Sequence, residues 1–474
     1  MELYDYQQSA IHDLRQCYAG GFSAPLLVLP TGGGKTVCFT YMAQQASRKT
    51  KRVLLLAHRK ELVAQISAAL GKWDVGHGII APGATPSTLP VQVAMAQTLA
   101  RRVKVDTSGR FKFDLVIIDE CHHATRDSIW GAVLEHNAGA KLLGVSATPC
   151  RLDGKGLGVD ADGFFDAIVT GPTVDELIAK GRLCPPVVFV PEEKVDVSKV
   201  KKRGGDYISA DLAAAMDNSR INEMAVRHYR ERLSGQASIA FTVTVDHAEH
   251  VAQAFKDAGY AAAVLSGKTP DKQREGMIRD LGNGTLHVLA SCNVVSEGTD
   301  IPSVAGALLL RPTASYSLAM QQMGRTLRTA EGKDRAVIMD IVGNSLRHGL
   351  PSDPVEWSLD GAKRGGASER VCFSCRALIP SRATVCPGCG RSVKAETGVG
   401  RPADVEAMQM ELPLAPDGKL VELTPERRAL MKQWRRRVEK EAKTIDEFRA
   451  IAAAMGYRPK WADYRYEELR GARG

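Results

Sequence analysis

The sequence predicts an α/β protein made of two tandem parallel-sheet domains, followed by a small cysteine module and a helical tail. Three observations carry this expectation. Short apolar runs rich in Val, Ile and Leu alternate with amphipathic stretches through residue 340, the pattern of buried parallel strands separated by crossover helices. Prolines and a charged segment interrupt that alternation near residues 190 to 205 and divide the runs into two sets. Beyond Val342 the alternation stops, and paired cysteines and basic residues take over. A length of 474 residues fits two to four domains at about 100 to 200 residues each.

In chain order, the first set of strands is Leu26 to Leu29, Val53 to Ala57, Val91 to Ala94, Leu115 to Ile118 and Leu142 to Val145. The second is Ser238 to Phe241, Ala262 to Leu265, Val288 to Ala290, Ala307 to Leu310 and Ala336 to Met339. Pro185-Pro186, Pro191 and the segment Lys194 to Gly205 separate them. The expected units are residues 1–190 and 205–350, a cysteine module over 367–394 and a basic helical tail over 420–474. Pro351, Pro354 and Gly361 to Gly366 read as loop. Thr424-Pro425 offers an N-cap with proline at the first helical position, and Leu430, Trp434 and Val438 recur on one face.

Hydrophobic residues make 44% of the chain and charged residues 25%, with a mean hydropathy of −0.17. No apolar run approaches the roughly 18 residues of a membrane span, so a soluble protein with no membrane partner is expected. The start Met1-Glu2-Leu3-Tyr4-Asp5 lacks the basic and apolar stretches of a secretory signal, which makes the cytoplasm the expected compartment. There the ten cysteines are reduced, and the six scattered ones (Cys17, Cys38, Cys121, Cys150, Cys184, Cys292) read as packing residues. Of the net charge of +9, +8 lies after residue 360, where 23 Lys and Arg face 15 Asp and Glu.

Pro30-Thr31-Gly32-Gly33-Gly34-Lys35-Thr36 directly follows the first strand and precedes a helix expected from Val37. Glycines let backbone N–H groups close on phosphates, Lys35 reaches the β and γ phosphates, and Thr36 ligates Mg²⁺. The strict phosphate-loop pattern wants glycine where Leu29 stands, and a plain glycine turn is the competing reading. Asp119-Glu120-Cys121-His122 follows the run Leu115 to Ile118, placing two carboxylates at a strand's C-terminal end, where open α/β sheets bind ligands. Asp119 can hold Mg²⁺ and Glu120 can orient or deprotonate water. Alone the acidic pair would be a solvated turn; in one domain with a phosphate loop it completes an ATPase site.

With these motifs the chain resembles superfamily 2 helicases and translocases of the DExH type over about residues 1 to 345. The resemblance implies two RecA-like domains and a nucleic-acid-stimulated ATPase using ATP and Mg²⁺. Gln7 falls where this family reads adenine, and Ser146-Ala147-Thr148-Pro149 resembles its S-A-T motif, which couples hydrolysis to domain movement. Arg59 within Ala57-His58-Arg59, and Gln97 and Thr98, fall where the family contacts the nucleic-acid backbone. Gly298 and Asp300 lie in a stretch resembling motif V, and Gln321-Gln322-Met323-Gly324-Arg325-Thr326-Leu327-Arg328 resembles motif VI. Its Gln321 joins the coupling set, and Arg325 and Arg328 would stabilise the transferring phosphoryl group, a role worth about 10³ to 10⁵ in rate.

Cys372-x-x-Cys375 and Cys386-x-x-Cys389, ten residues apart, have the spacing of a four-thiolate zinc site, with two disulfides or redox pairs as competing readings. Arg376 stands where a knuckle usually has glycine. A zinc module behind a DExH core resembles RadD-like bacterial and phage DNA helicases, a DNA-repair group, so single-stranded, duplex or forked DNA and repair or replication proteins are the implied partners. Arg435, Arg436 and Arg437 around Trp434 could bind nucleic acid, while Leu430, Trp434 and Val438 could instead dock that helix. The expected function is an ATP-dependent DNA helicase or translocase. The alternatives are an ATP-switched DNA clamp that recruits partners without separating strands, and the motor of a restriction-type system.

Overall fold

The computed structural model describes residues 2–151, 156–191, 200–203, 206–292 and 301–360, with the short pieces 369–371, 378–380, 420–422 and residue 445. Among these residues, two seven-stranded sheets organise the chain. The first contains β1 (Pro25–Val28), β2 (Val53–Ala57), β3 (His77–Ile80), β4 (Val91–Met95), β5 (Leu115–Asp119), β6 (Lys141–Ser146) and β7 (Ala167–Thr170) in the order β3-β4-β2-β5-β6-β1-β7. All its pairings are parallel. The helices that accompany it are α1 (Asp5–Ala19), α2 (Lys35–Arg48), α3 (Lys60–Lys72), α4 (Ala96–Val103), α5 (Ile129–His136) and α6 (Val174–Ala179).

Burial explains the continuous apolar runs. In β2, Leu54, Leu55 and Leu56 are all fully buried; Leu55 joins the core on one face, and Leu54 and Leu56 join the core on the other. A central strand covered by helices on both faces cannot alternate polar and apolar residues. Truncating Leu55 to alanine would cost about 2–5 kcal/mol.

The second sheet has the order β12-β13-β11-β14-β15-β8-β18. The chain reaches it through β8 (Pro186–Pro191), the hairpin of β9 (Lys202–Arg203) and β10 (Asp206–Tyr207), α7 (Ser209–Met216) and α8 (Ser219–Arg232). Next in the chain are β11 (Ser238–Thr242), α9 (Val245–Asp257), β12 (Ala262–Leu265), α10 (Asp271–Gly282), β13 (Val288–Cys292), β14 (Gly306–Leu309), α11 (Tyr316–Gly324), β15 (Ala336–Asp340) and α12 (Asn344–His348). The short strands β16 (Glu369–Val371) and β17 (Leu378–Pro380) pair with each other, and β18 (Leu420–Glu422) adds antiparallel to β8.

The expected boundary at residue 190 needs correcting. β8 pairs in parallel with β15, Val187 opposite Val337 and Val188 opposite Ile338, so it belongs to the second sheet. Its run Val187-Val188-Phe189-Val190 is a β-rich segment with proline at each end, and proline at the first strand position costs no ladder bond. Of the expected linker, Lys202 and Arg203 form β9, which pairs antiparallel with β10. Asp206 accepts from Ala314 N at 2.7 Å and Thr313 Oγ1 at 3.0 Å and pairs with Arg311 at 3.2 Å, bracing the turn that leads into α11. The helix expected from Val37 starts two residues earlier, at Lys35, because Gly34 adopts φ 80° as its N-cap.

The six scattered cysteines are free thiols; Cys38, Cys121, Cys184 and Cys292 are buried, and Cys17 and Cys150 half-buried. No helix among the described residues is long and apolar enough to cross a membrane.

Candidate active site

In a parallel sheet every strand delivers its C-terminal end to the same edge. Along five adjacent strands of the first sheet, that edge reads as a row. Gln97 and Thr98 follow β4, Arg59 follows β2, Asp119 and Glu120 close β5, Ser146 to Thr148 close β6, and the phosphate loop follows β1. Residues that run from Thr31 to Thr148 in sequence thereby line one rim. Arg59, Gln97 and Thr98 occupy its β4–β2 side, half-buried, with Gln97 Nε2 donating to His58 O at 3.0 Å.

The glycines of the loop meet close neighbours. Gly32 and Gly34 have φ of 85° and 80°, which side-chain-bearing residues rarely adopt. A Cβ on Gly34 would lie 2.3 Å from Gln7 Nε2, and one on Gly32 2.7 Å from Leu183 Cδ2. Gly33 N donates to Pro30 O at 2.9 Å, closing the turn. Gln7 is buried, accepts from Tyr4 N at 3.0 Å and so fixes the start of α1 against the loop. α2 begins at Gly34 with no side-chain cap, leaving its first N–H groups for an anion.

Lys35 Nζ reaches Leu29 O at 3.4 Å. Burial pulls its ammonium below the ordinary value; Glu120 and Asp119 oppose that shift, and Arg325 and Arg328 add to it. One group therefore feels both carboxylates from its own domain and both arginines from the other. Asp119 is buried, and its Oδ1 accepts from Glu120 N at 3.0 Å. Glu120 sits at φ 50°, a left-handed conformation costly for a side-chain-bearing residue and common at functional turns.

From Glu120 a polar chain runs into the second domain. His122 Nδ1 lies 3.4 Å from Glu120 Oε2 and 3.1 Å from Ser146 Oγ. Ser146 Oγ accepts from Thr148 N at 3.2 Å, and Thr148 Oγ1 is 2.5 Å from Ser317 Oγ on α11. The same helix carries Gln321, buried, and ends at Gly324, where a Cβ would lie 2.8 Å from Thr31 Cβ. Arg325 and Arg328 come directly after it. Tyr6, Leu177, Leu183, Cys184, Leu327 and Ala336 form a small apolar cluster beside them. Arg328 O accepts from Lys333 Nζ at 2.6 Å, and Cys184 N donates to Leu327 O at 2.7 Å.

His122, Ser317, Cys184 and Lys333 support this site, and the sequence alone assigns none of them a role in it. Cys184 and Lys333 act through backbone carbonyls, which leave no residue pattern to read, and Ser317 lies outside every motif. Gly298 and Asp300 of the motif V stretch, Cys372, Cys375, Cys386 and Cys389, and Arg435, Arg436 and Arg437 lie outside the described residues.

The glycine cradle, the uncapped α2 and the buried Asp119 suit a nucleoside triphosphate with Mg²⁺. Thr36, in the first turn of α2, and Asp119 would hold the metal, which would neutralise phosphate charge.

Comparison with known proteins agrees with this chemistry. Residues 1–151 match the family model of the type III restriction enzyme res subunit, and residues 220–330 that of the helicase conserved C-terminal domain. A 51.5 kDa protein of a Lactococcus phage is 31% identical over 377 residues, covering 77% of this chain and 78% of that protein. IRC3 of Saccharomyces cerevisiae, assigned by name as an ATP-dependent helicase, is 33% identical over 72% of this chain, which spans 52% of that protein's length. Among solved structures, the ATP-dependent type ISP restriction-modification enzyme LlaBIII bound to DNA shares the fold at a TM-score of 0.54, with 18% identity over 71% of this chain and 27% of that one. The chain belongs to the superfamily 2 helicases. It is accordingly an ATPase built on two RecA-like domains.

Proposed function

We propose that this chain couples ATP hydrolysis to movement along DNA, or to its remodelling, in repair, recombination or replication. The observation that carries this reading is the rim itself: nucleic-acid-contact positions at β4 and β2 and phosphate-contact positions at β1 lie on one sheet edge, with the Asp119-Glu120 pair between them. In this reading Lys35 holds the β and γ phosphates, Glu120 takes the proton of the attacking water, and Arg325 and Arg328 neutralise charge that develops in the transition state. The DNA-bound restriction enzyme of similar fold and the basic excess after residue 360 support DNA as the track. The match to the res subunit model supports a second reading, the motor of a restriction-type system.

ATP turnover measured with single-stranded, duplex and forked DNA and with RNA, beside a strand-displacement assay, tests this. DNA is expected to raise turnover. Lys35→Ala should lose ATP binding, whereas Glu120→Gln should bind and trap ATP, with turnover lowered about 10²-fold or more. Stimulation by RNA alone would replace DNA as the track, and stimulation without strand displacement would favour a translocase or an ATP-switched clamp.

The paired cysteines read as a structural zinc site. The spacing of Cys372-x-x-Cys375 and Cys386-x-x-Cys389 supports this reading. Metal analysis is expected to find one zinc per chain.

A further inference from the structure

Residues 351–360, which come after α12 and carry no motif, cross back from the second domain to the first. Leu359 O accepts from Leu157 N and Gly158 N, both at 2.9 Å. The side chains of Trp357 and Leu359 pack on the first-domain core that contains Leu157 and Phe165. Along this path Trp357 meets the ring of Tyr316 edge-on, with centroids 6.1 Å apart. Tyr316 is the first residue of α11, and the next, Ser317, bonds to Thr148 of the first domain. Trp357, Tyr316, Thr148, Thr31 and Gly324 border one interdomain cavity of about 100 Å³.

α11 is therefore held at its first turn by residues that rest on the first domain, and its last residue leads directly to Arg325. A nine-residue helix is rigid on this scale, so a shift at Tyr316 moves the arginines as well. We propose that Trp357 is a positioning residue: with Ser317 it sets how α11 lies against the first domain, and thereby where Arg325 and Arg328 meet the phosphate loop. This rests on the ATPase reading above and adds a residue that none of the motifs contains. Its route to the arginines is the Tyr316 contact at the start of α11. Misplacing a reacting group by about 1 Å can cost about 10²-fold in rate.

The test is steady-state ATP turnover of the full chain with saturating DNA, beside its unfolding temperature. Trp357→Ala should lower kcat by about tenfold to 10²-fold while the KM for ATP stays within about twofold, and Trp357→Phe should restore most of the rate. Gly158→Val provides an independent handle. Gly158 has φ −74°, open to any residue, and a Cβ there would lie 3.0 Å from Leu359 Cβ, so the substitution displaces residues 351–360 without altering them. It should reproduce the kcat loss, and combining it with Trp357→Ala should add little. The proposal is overturned if both single variants turn over ATP at the wild-type rate. It is equally overturned if KM rises with kcat intact, or if the loss follows a matching fall in unfolding temperature and phenylalanine does not restore it. A wild-type chain without ATP turnover would sink the ATPase reading instead, and this proposal with it.

Discussion

β1 and β8 hold the same place in their two sheets. β1 lies between β6 and β7, and β8 lies between β15 and β18. Both are apolar runs that begin at proline, Pro25-Leu26-Leu27-Val28 and Pro186-Val187-Val188-Phe189. Their C-terminal continuations differ. After β1 come three glycines, Lys35 and an uncapped helix; β8 ends at Pro191, which withholds an N–H, and the sequence continues Glu192-Glu193, whose carboxylates would repel phosphate. The helix starts repeat the contrast. α2, α3 and α4, after β1, β2 and β4, have Gly34, Arg59 and Met95 as N-caps, with no side-chain cap bond. In the second domain, α9 and α11 have Thr244 and Ser315 as N-caps, whose hydroxyls accept from His247 N and Leu318 N. The contrast belongs to these helices and not to whole domains: α5 and α6 are capped by Ser128 and Thr173, while α10 and α12 lack a side-chain cap. What sets the first domain apart is the open start of α2 beside the glycine loop, and the second domain brings Arg325 and Arg328 after α11.

The largest expected effect breaks this division of labour if it is wrong. Arg328→Ala should lower kcat by about 10³-fold or more while nucleotide binding to the DNA-free enzyme persists, since the arginine acts on the transition state after closure. Single-turnover kinetics and nucleotide titration check it. A variant that loses ATP affinity and keeps its kcat would place Arg328 in ground-state binding, and the second domain would then hold part of the nucleotide site.

The strands that carry this comparison are legible in the sequence to different degrees. Central strands, buried on both faces, read as unbroken apolar runs, and the ten expected runs coincide with observed strands to within a residue or two at their ends. β3 and β7, at the edges of the first sheet, escape because their burial is broken. His77-Gly78-Ile79-Ile80 alternates half-buried and buried residues, and Ala167 to Thr170 buries only Val169. β8 is hidden by its prolines, which signal a break in sequence but here sit at the ends of a strand. In the site, the glycine loop and the carboxylate pair are legible because each packs its chemistry into a few consecutive residues. The Glu120–His122–Ser146–Thr148–Ser317 chain is not, because its members lie on three segments that only the fold brings together.

A smaller effect sharpens the comparison at the start of α9. There the second domain buries His247, the third residue of α9, whose Nδ1 accepts from Val243 N at 3.4 Å. Burial pushes this histidine down to about 4; His250 adds to the lowering and Asp217 opposes it. The folded pKa lies below the unfolded value of about 6.5, so the unfolded chain takes up the proton first. The contribution is therefore fully present above pH 6.5 and is lost as pH falls toward 4, with an upper bound of about 3 kcal/mol. His247→Asn keeps an acceptor for Val243 N and cannot titrate. Denaturant unfolding between pH 4 and 7 should accordingly show a flatter pH dependence for the variant. An unchanged slope would assign the acid sensitivity to other groups.

The smallest effect concerns the cap itself. Thr244 Oγ1 accepts from His247 N at 3.1 Å, satisfying one of the N–H groups that α2 leaves open. Removing a threonine N-cap costs about 1 kcal/mol, so Thr244→Ala should lower the stability of the second domain by about that amount. ATP turnover should stay unchanged under conditions where the variant is fully folded, because a filled helix start in the second domain takes no part in phosphate binding. At Gly34 the same position in the helix behaves in the opposite way. There φ is 80° and a Cβ would lie 2.3 Å from Gln7 Nε2, so Gly34→Ala should impair ATP binding directly. Measured side by side, the two substitutions separate a cap that serves stability from an open start that serves ligand binding. If Thr244→Ala reduced turnover without a change in stability, α9 would have a part in nucleotide chemistry, and the asymmetry between the two domains would be smaller than their helix starts indicate.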